Sequence, residues 1–150
     1  MRLLIQRVRY SRLSISSALF SEIGSGLMVL VGVEQGDAEA DADWLAEKTA
    51  GLRIFADPDG LMNLSVADTG GDVMAVSQFT LLASTKKGKR PSFIHAAAPE
   101  EAESLYEYFC QALEARLGKP VARGCFGADM QIELLNDGPV TIFIDSRRRE

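Results

Sequence analysis

The chain holds one histidine, His95, and two cysteines, Cys110 and Cys125. A Ser-His-Asp triad needs a histidine base, and a Cys-His pair needs the same residue. Every conventional nucleophilic set would therefore pass through His95, which reads as a loop or helix-approach residue. The three residues also fall short of a zinc ligand set and of a secreted disulfide framework. Two reduced thiols in a cytoplasmic protein without metal or cofactor are expected. Phosphate loops fail as well. Gly24-Ser25-Gly26 lacks a later glycine and a helix start, and Gly88-Lys89 is followed by Arg90 where a Walker loop needs Ser or Thr.

The chain also holds Ser77-Gln78-Phe79-Thr80-Leu81 and Asn136-Asp137-Gly138-Pro139-Val140-Thr141, which offer hydroxyl, amide and backbone groups but neither histidine nor cysteine. An enzyme built from these would have little side-chain acid–base chemistry. Its substrate must be activated already or supply a functional group of its own. An aminoacyl ester on a ribose does both, being labile and next to a vicinal hydroxyl. The protein would add placement and hydrogen-bond donors for the developing oxyanion. Between the two stretches, Lys86, Lys87, Lys89 and Arg90 put four cations into five positions of a chain whose net charge is −5. A focused positive patch on an acidic body suits contact with phosphates at an RNA end. From charge alone, a solvated mobile loop is the simpler reading. The run Arg147-Arg148-Arg149 reads as a frayed terminus.

These residues need a scaffold, and 150 residues fit one domain spanning 1–150. No apolar run approaches the ~20 residues of a membrane helix, and the N-terminus reads as a first strand instead of a signal peptide. Strands are expected over Leu3–Val8, Leu13–Ile23 with a turn inside, and Leu27–Val33, the last a continuous apolar run buried on both faces. Gly36-Asp37 offers an N-cap for a helix to about Arg53, with Ala42, Leu45, Thr49 and Leu52 on one face and Trp44 as a core or interface aromatic. Asp57-Pro58-Asp59-Gly60 is a turn. Val73–Leu82 reads as a strand holding the first polar stretch. Pro99 opens a second helix with Leu105, Phe109, Ala112 and Leu113 as its apolar face, ended by Leu117-Gly118. Val121–Cys125, Gln131–Leu135 and Val140–Asp145 are the last strands, with a hairpin expected around Asn136-Asp137-Gly138. This order implies an α/β domain, bordering on α+β, with one mixed twisted sheet and two main helices packed on it.

Seven stretches in order resemble the D-aminoacyl-tRNA deacylases over essentially the whole chain. They are Leu4–Val8, Gly26–Val33, Leu52–Phe55, Val76–Leu81, Lys87–Phe93, Gly124–Met130 and Asn136–Thr141. The ordered set carries the specificity, since any one stretch is weak. The resemblance implies a homodimer with active sites at the subunit interface. Ser77, Gln78, Phe79 and Thr80 would form the catalytic side of the pocket. Gly138 and Pro139, joined by a cis peptide, would reach in from the partner subunit. The implied substrate is a D-amino acid esterified to the terminal adenosine of tRNA, with glycyl-tRNA a second substrate. Lys86, Lys87, Lys89 and Arg90 would contact the tRNA, and neither DNA nor membrane is an expected partner.

Within that resemblance, Ser77 and Gln78 offer hydrogen bonds to the adenosine or the ester, and the Phe79 N–H could face the ester oxygen. Thr80 could act as nucleophile, but nothing supplies its base, so assistance by the tRNA 2′-hydroxyl is preferred. Carbonyls of the Gly138-Pro139 turn could hold the amino group and collide with an L side chain, reading chirality by exclusion. Ser77 and Phe79 fit the D-specific type better than the related editors of L-alanine. Tyr10-Ser11-Arg12 departs from the small residues expected there. Two alternatives stand beside the deacylase: a non-catalytic dimeric RNA-end binding module of the same fold, and a thiol or metal hydrolase using Cys125 or His95.

Overall fold

The computed structural model describes residues 1–149. Eight strands form in chain order: β1 (Arg2–Ile15), β2 (Ala18–Ile23), β3 (Gly26–Gly32), β4 (Phe55–Ala56), β5 (Met62–Leu64), β6 (Asp72–Ser77), β7 (Ala122–Arg123) and β8 (Gln131–Asp145). Two long helices, α1 (Glu39–Gly51) and α3 (Pro99–Leu117), and the single turn α2 (Val66–Thr69) complete it. The main sheet runs β2-β1-β3-β6-β7, with β8 on the other edge of β1; β4 and β5 make a separate hairpin. The α/β expectation with two packed helices holds, and the sheet is mixed: β3–β6 and β6–β7 are parallel, while β1 is antiparallel to all its neighbours.

The central place of β3 follows from its composition. Leu27, Met28, Val29 and Val31 are all buried, because apolar cover lies on both faces. On one face α1 and α3 close over Leu3, Ile5, Val29 and Ala75 with Leu45, Phe109 and Leu113. Each of these fully buried side chains other than Ala75 contributes ~1.5–3 kcal/mol. Tyr106 ties α3 to the sheet by donating its hydroxyl to the Ala75 carbonyl at 2.9 Å, and burial drives its phenol pKa upward. The other face carries a smaller cluster, Val8, Leu13, Met28, Met74 and Val76. No helix among the described residues is long and apolar enough to cross a membrane.

Several expectations change. The Leu13–Ile23 segment has its expected turn, at Ser16 and Ser17, both with positive φ, but its first three residues are the end of β1 and not the start of a new strand. The N-cap of α1 is Ala38, whose N–H donates to the Asp41 carboxylate at 2.9 Å. Asp37 instead sits 2.7 Å from the buried Met1 ammonium and accepts the Glu34 N–H. The terminal arginines are not frayed. Arg147 donates to the Gln35 carbonyl at 2.6 Å and lies 3.0 Å from Asp37, while Arg149 covers the half-buried Trp44 ring at 4.5 Å. The largest correction concerns the chain's last third. Gln131–Asp145 is one continuous strand against β1, not a hairpin.

Candidate active site

Ser77 ends β6, and the strand does not continue to Leu82 as expected. Phe79–Leu82 closes instead into a 3-10 turn. The parallel ladder reaches one residue further, Gln78 N–H donating to the Val31 carbonyl at 2.7 Å. The chain then turns because Gly32, on the neighbouring strand, leaves room for it. A Cβ at Gly32 would stand 2.6 Å from Leu82 Cδ2, 3.0 Å from Leu81 Cβ and 3.1 Å from the Gln78 carbonyl. The turn therefore rests on the bare backbone of Gly32. Sequence reading placed Gly32 in an apolar strand and gave it no role. The signal available was a glycine breaking a Leu/Val run.

Leu81 N–H donates to the Gln78 carbonyl at 3.2 Å and Ala83 N–H to Thr80 at 3.1 Å. Phe79 and Thr80, at the head of the turn, have no acceptor for their N–H groups among the described residues. This is the orphan-donor end common to every helical turn, here on two exposed residues. Beside it the Gln78 side-chain amide donates to the Thr80 hydroxyl. That contact leaves the hydroxyl proton free to donate onward, and an amide N–H cannot act as a base toward it. His95 is exposed in the segment before α3, where its carbonyl accepts the Gln35 N–H at 3.0 Å.

The cationic loop is brought to this turn. Ser84 and Ser92 exchange two backbone hydrogen bonds, at 2.8 and 2.9 Å, and pinch the loop between them. Lys86, Lys87, Lys89 and Arg90 are all exposed and make no ion pair among the described residues. Just past the pinch, Phe93 meets the ring of Phe79 edge-on, with centroids 4.9 Å apart. Phe79 itself remains 57% exposed, so its ring is neither core nor a closed wall within one chain.

The second polar stretch lies on β8. Gln6 pairs with Thr141 and Val8 with Asn136, so Arg7 alone faces the four residues 137–140. The surplus loops out as a wide bulge, exposing Gly138 and Pro139. The Gly138-Pro139 peptide is cis, and Gly138 has φ +132°, where a Cβ would crowd Val140 at 2.8 Å. Arg7, half-hidden beneath, holds the bulge. Its Nε donates to the Asp137 carbonyl at 3.0 Å and its Nη1 to Ile54 of the β4 approach. Arg9 pairs with the Asp137 carboxylate at 3.1 Å. In the sequence Arg7 lies inside the expected strand Leu3–Val8 and the first stretch of the resemblance, with nothing to mark its partner.

One chain does not bring the two stretches together. Ser77 pairs with Val31, Val31 with Leu3 and Leu3 with Ile144, three strand spacings away from β8. The bulge lies opposite Arg7, four residues further along β1. At ~4.8 Å per strand and ~3.3 Å per residue, the two are ~20 Å apart.

The remaining candidates are not assembled. Cys110 is fully buried, and burial pushes its thiol up to about 11, away from the reactive thiolate. Cys125 is exposed, two residues past β7. No group of three or more His, Cys, Asp or Glu residues stands together as a metal site among the described residues.

The first stretch thus forms a parallel strand that ends in a donor-headed turn, with no side-chain base hydrogen-bonded to Thr80 among the described residues. Residues 4–145 match the family described as D-Tyr-tRNA(Tyr) deacylase, and the chain belongs to that family. Relatives named D-aminoacyl-tRNA deacylase from Parabacteroides distasonis and Akkermansia muciniphila are 55% and 56% identical to it over 150 residues, the full length of each chain. A solved structure named c-Myc DNA Unwinding Element Binding Protein superposes with a TM-score of 0.90 at 35% identity, covering 97% of this chain and 98% of that one. Another, of a probable eukaryotic D-amino acid tRNA deacylase, shares the fold with a TM-score of 0.81 at 19% identity.

Proposed function

We propose that this chain hydrolyses the ester of D-aminoacyl-tRNA, and of glycyl-tRNA, as a cytoplasmic homodimer. The observation that carries the reading is the head of the 3-10 turn, where the free Phe79 and Thr80 N–H groups lie beside a hydroxyl with no base. Such a site can stabilise an oxyanion but cannot generate a strong nucleophile. It suits an ester that is already labile and carries a neighbouring hydroxyl. Water adds to the ester carbonyl, and the negative charge grows on the oxygen facing the two N–H groups. The C–O3′ bond then breaks, and O3′ takes its proton by way of the vicinal 2′-hydroxyl. Ser77 and Gln78 orient the terminal adenosine, and Lys86, Lys87, Lys89 and Arg90 hold phosphates of the acceptor end.

The homodimer is supported by the ~20 Å gap between the two stretches, which a second copy would close by presenting its own Gly138-Pro139 bulge. It is also supported by an apolar row on the sheet face away from the helices. Val76, Leu30, Leu4 and Phe143 pair in sequence across four strands, and Phe143 is 54% exposed. In the assembled site, Gly138 allows close approach of backbone to the substrate's Cα, and an L side chain meets that backbone. The test is hydrolysis of matched D- and L-aminoacyl-tRNA by the purified chain. Fast release from the D-ester with an intact L-ester is expected. Equal rates, or no release from the D-ester, would sink the proposal.

A further inference from the structure

We infer that Arg2 is a positioning residue for the catalytic turn, fixing its far end so that the donors at its near end stay aligned. This rests on the deacylase reading of Ser77–Thr80. A four-residue 3-10 turn makes too few hydrogen bonds to hold its own shape. Its near end is tied to the sheet by Gln78 N–H on the Val31 carbonyl, and Gly32 forms its floor. The far end needs a separate tie, because the last carbonyls of a helical turn have no partner inside it.

Arg2 supplies that tie from a defined place in the sheet. It registers with Gly32 on one side and with Asp145 on the other. Asp145, Arg2 and Gly32 thus form one row across three strands, and the turn lies at the end of that row. The guanidinium spans it. Nε donates to Asp145 Oδ2 at 3.0 Å and Nη1 donates to the Leu81 carbonyl at 3.0 Å. Nη2 lies 4.0 Å from Glu34, a peripheral contact by comparison. The side chain is 24% exposed, so these charge-assisted bonds are partly shielded from water.

The anchor is itself fixed. Asp145 accepts the Arg147 N–H at 2.9 Å, and Ser146 N–H donates to the Met1 carbonyl at 2.9 Å. Arginine's rigid planar fork can satisfy both acceptors at a set separation, whereas a lysine ammonium is a single point. Among the described residues Arg2 makes no hydrogen bond or ion pair with Ser77, Gln78, Phe79 or Thr80, so its polar hold on them passes through Leu81.

The experiment compares the unaltered chain with R2Q, R2K and E34Q, by steady-state hydrolysis of D-aminoacyl-tRNA and by amide hydrogen exchange, both well below each thermal midpoint. R2Q should lower kcat about tenfold with KM within about twofold, and R2K should recover only part of the loss. E34Q, which disturbs the periphery of the same ionic cluster, should leave kcat unchanged. Exchange at Leu81 and Ala83 should accelerate about tenfold in R2Q, while Val29 and Val31 stay protected. Unchanged kcat and exchange in R2Q would overturn the inference, as would an equal kcat loss in E34Q. An unaltered chain inert toward the D-ester would remove the deacylase reading instead, and the exchange data would still decide whether Arg2 holds the turn.

Discussion

Substituting Gly32 by alanine separates the stability of the sheet from the geometry of the turn. The three atoms nearest to the added methyl would all belong to the turn, at 2.6 Å (Leu82 Cδ2), 3.0 Å (Leu81 Cβ) and 3.1 Å (the Gln78 carbonyl). Leu82 can rotate its terminal methyl, but the Gln78 carbonyl is backbone and Leu81 Cβ moves only with it. Overpacking of this kind costs ~1–3 kcal/mol, which a domain of ordinary stability, ~5–15 kcal/mol, survives. The cheaper response is for the turn to lift by several tenths of an ångström. Donors misplaced on that scale lose most of their oxyanion stabilisation, and kcat should fall ~10²-fold. Thermal denaturation and D-aminoacyl-tRNA hydrolysis on the same preparation measure both quantities. Gly26→Ala is the contrast, since its Cβ would lie 1.8 Å from the Asp72 carbonyl between two paired strands, and that protein should fail to fold. A folded Gly32→Ala protein with undiminished kcat would refute the placement of the chemistry at the turn.

A substrate ending in 2′-deoxyadenosine should be cleaved at least ~10²-fold more slowly, whereas Thr80→Val should keep kcat within about tenfold; the reverse pattern in single-turnover assays would make Thr80 the nucleophile. Replacing Lys86, Lys87, Lys89 and Arg90 together by glutamine should raise KM without lowering kcat and flatten the log–log salt dependence of binding by roughly three units. Duplex DNA should compete poorly for the same loop. Burial alone would raise the pKa of Asp145, but hydrogen bonds from the Arg147 N–H and the Arg2 guanidinium, with the nearby Met1 ammonium, outweigh it and hold the carboxyl below its ordinary range. Its contribution to stability is therefore full above ~4, the unfolded value, and is lost as pH falls through the folded value. Asp145→Asn should lower the thermal midpoint at pH 7, with the gap narrowing toward pH 3.

What could be read in the sequence was local. Leu27–Val31 announces a buried strand, and Pro99 to Leu117 announces a helix, because each pattern is complete within its own segment. The two polar stretches stood out only through the ordered resemblance, since each alone is a weak signal. Their backbone shapes were not legible. Asn136-Asp137-Gly138 is a turn signal for a hairpin and for a bulge alike, and pairing with β1, more than 120 residues earlier, decides between them. Phe79-Thr80-Leu81-Leu82 has the composition of a strand, and only the empty space above Gly32 lets it coil. Arg2, Arg7 and Arg147 look like solvated charges because their partners, at Leu81, Asp137 and Gln35, are distant in the chain.

The surplus of residues opposite Arg7 has a further consequence, for how such a protein can change over generations. Both flanks of the bulge are locked into the β1 ladder, at Asn136 and at Thr141. A residue lost or gained between them alters the length of the tip and leaves every other pair in register. The same event at Phe143, which pairs with Leu4 in an unbroken ladder, would shift the strand by one and turn its side chains to the opposite faces. The sheet thus insulates the tip from the rest of the fold, so the segment that meets the substrate in the proposed dimer can be retuned by insertion or deletion while the core is inherited intact.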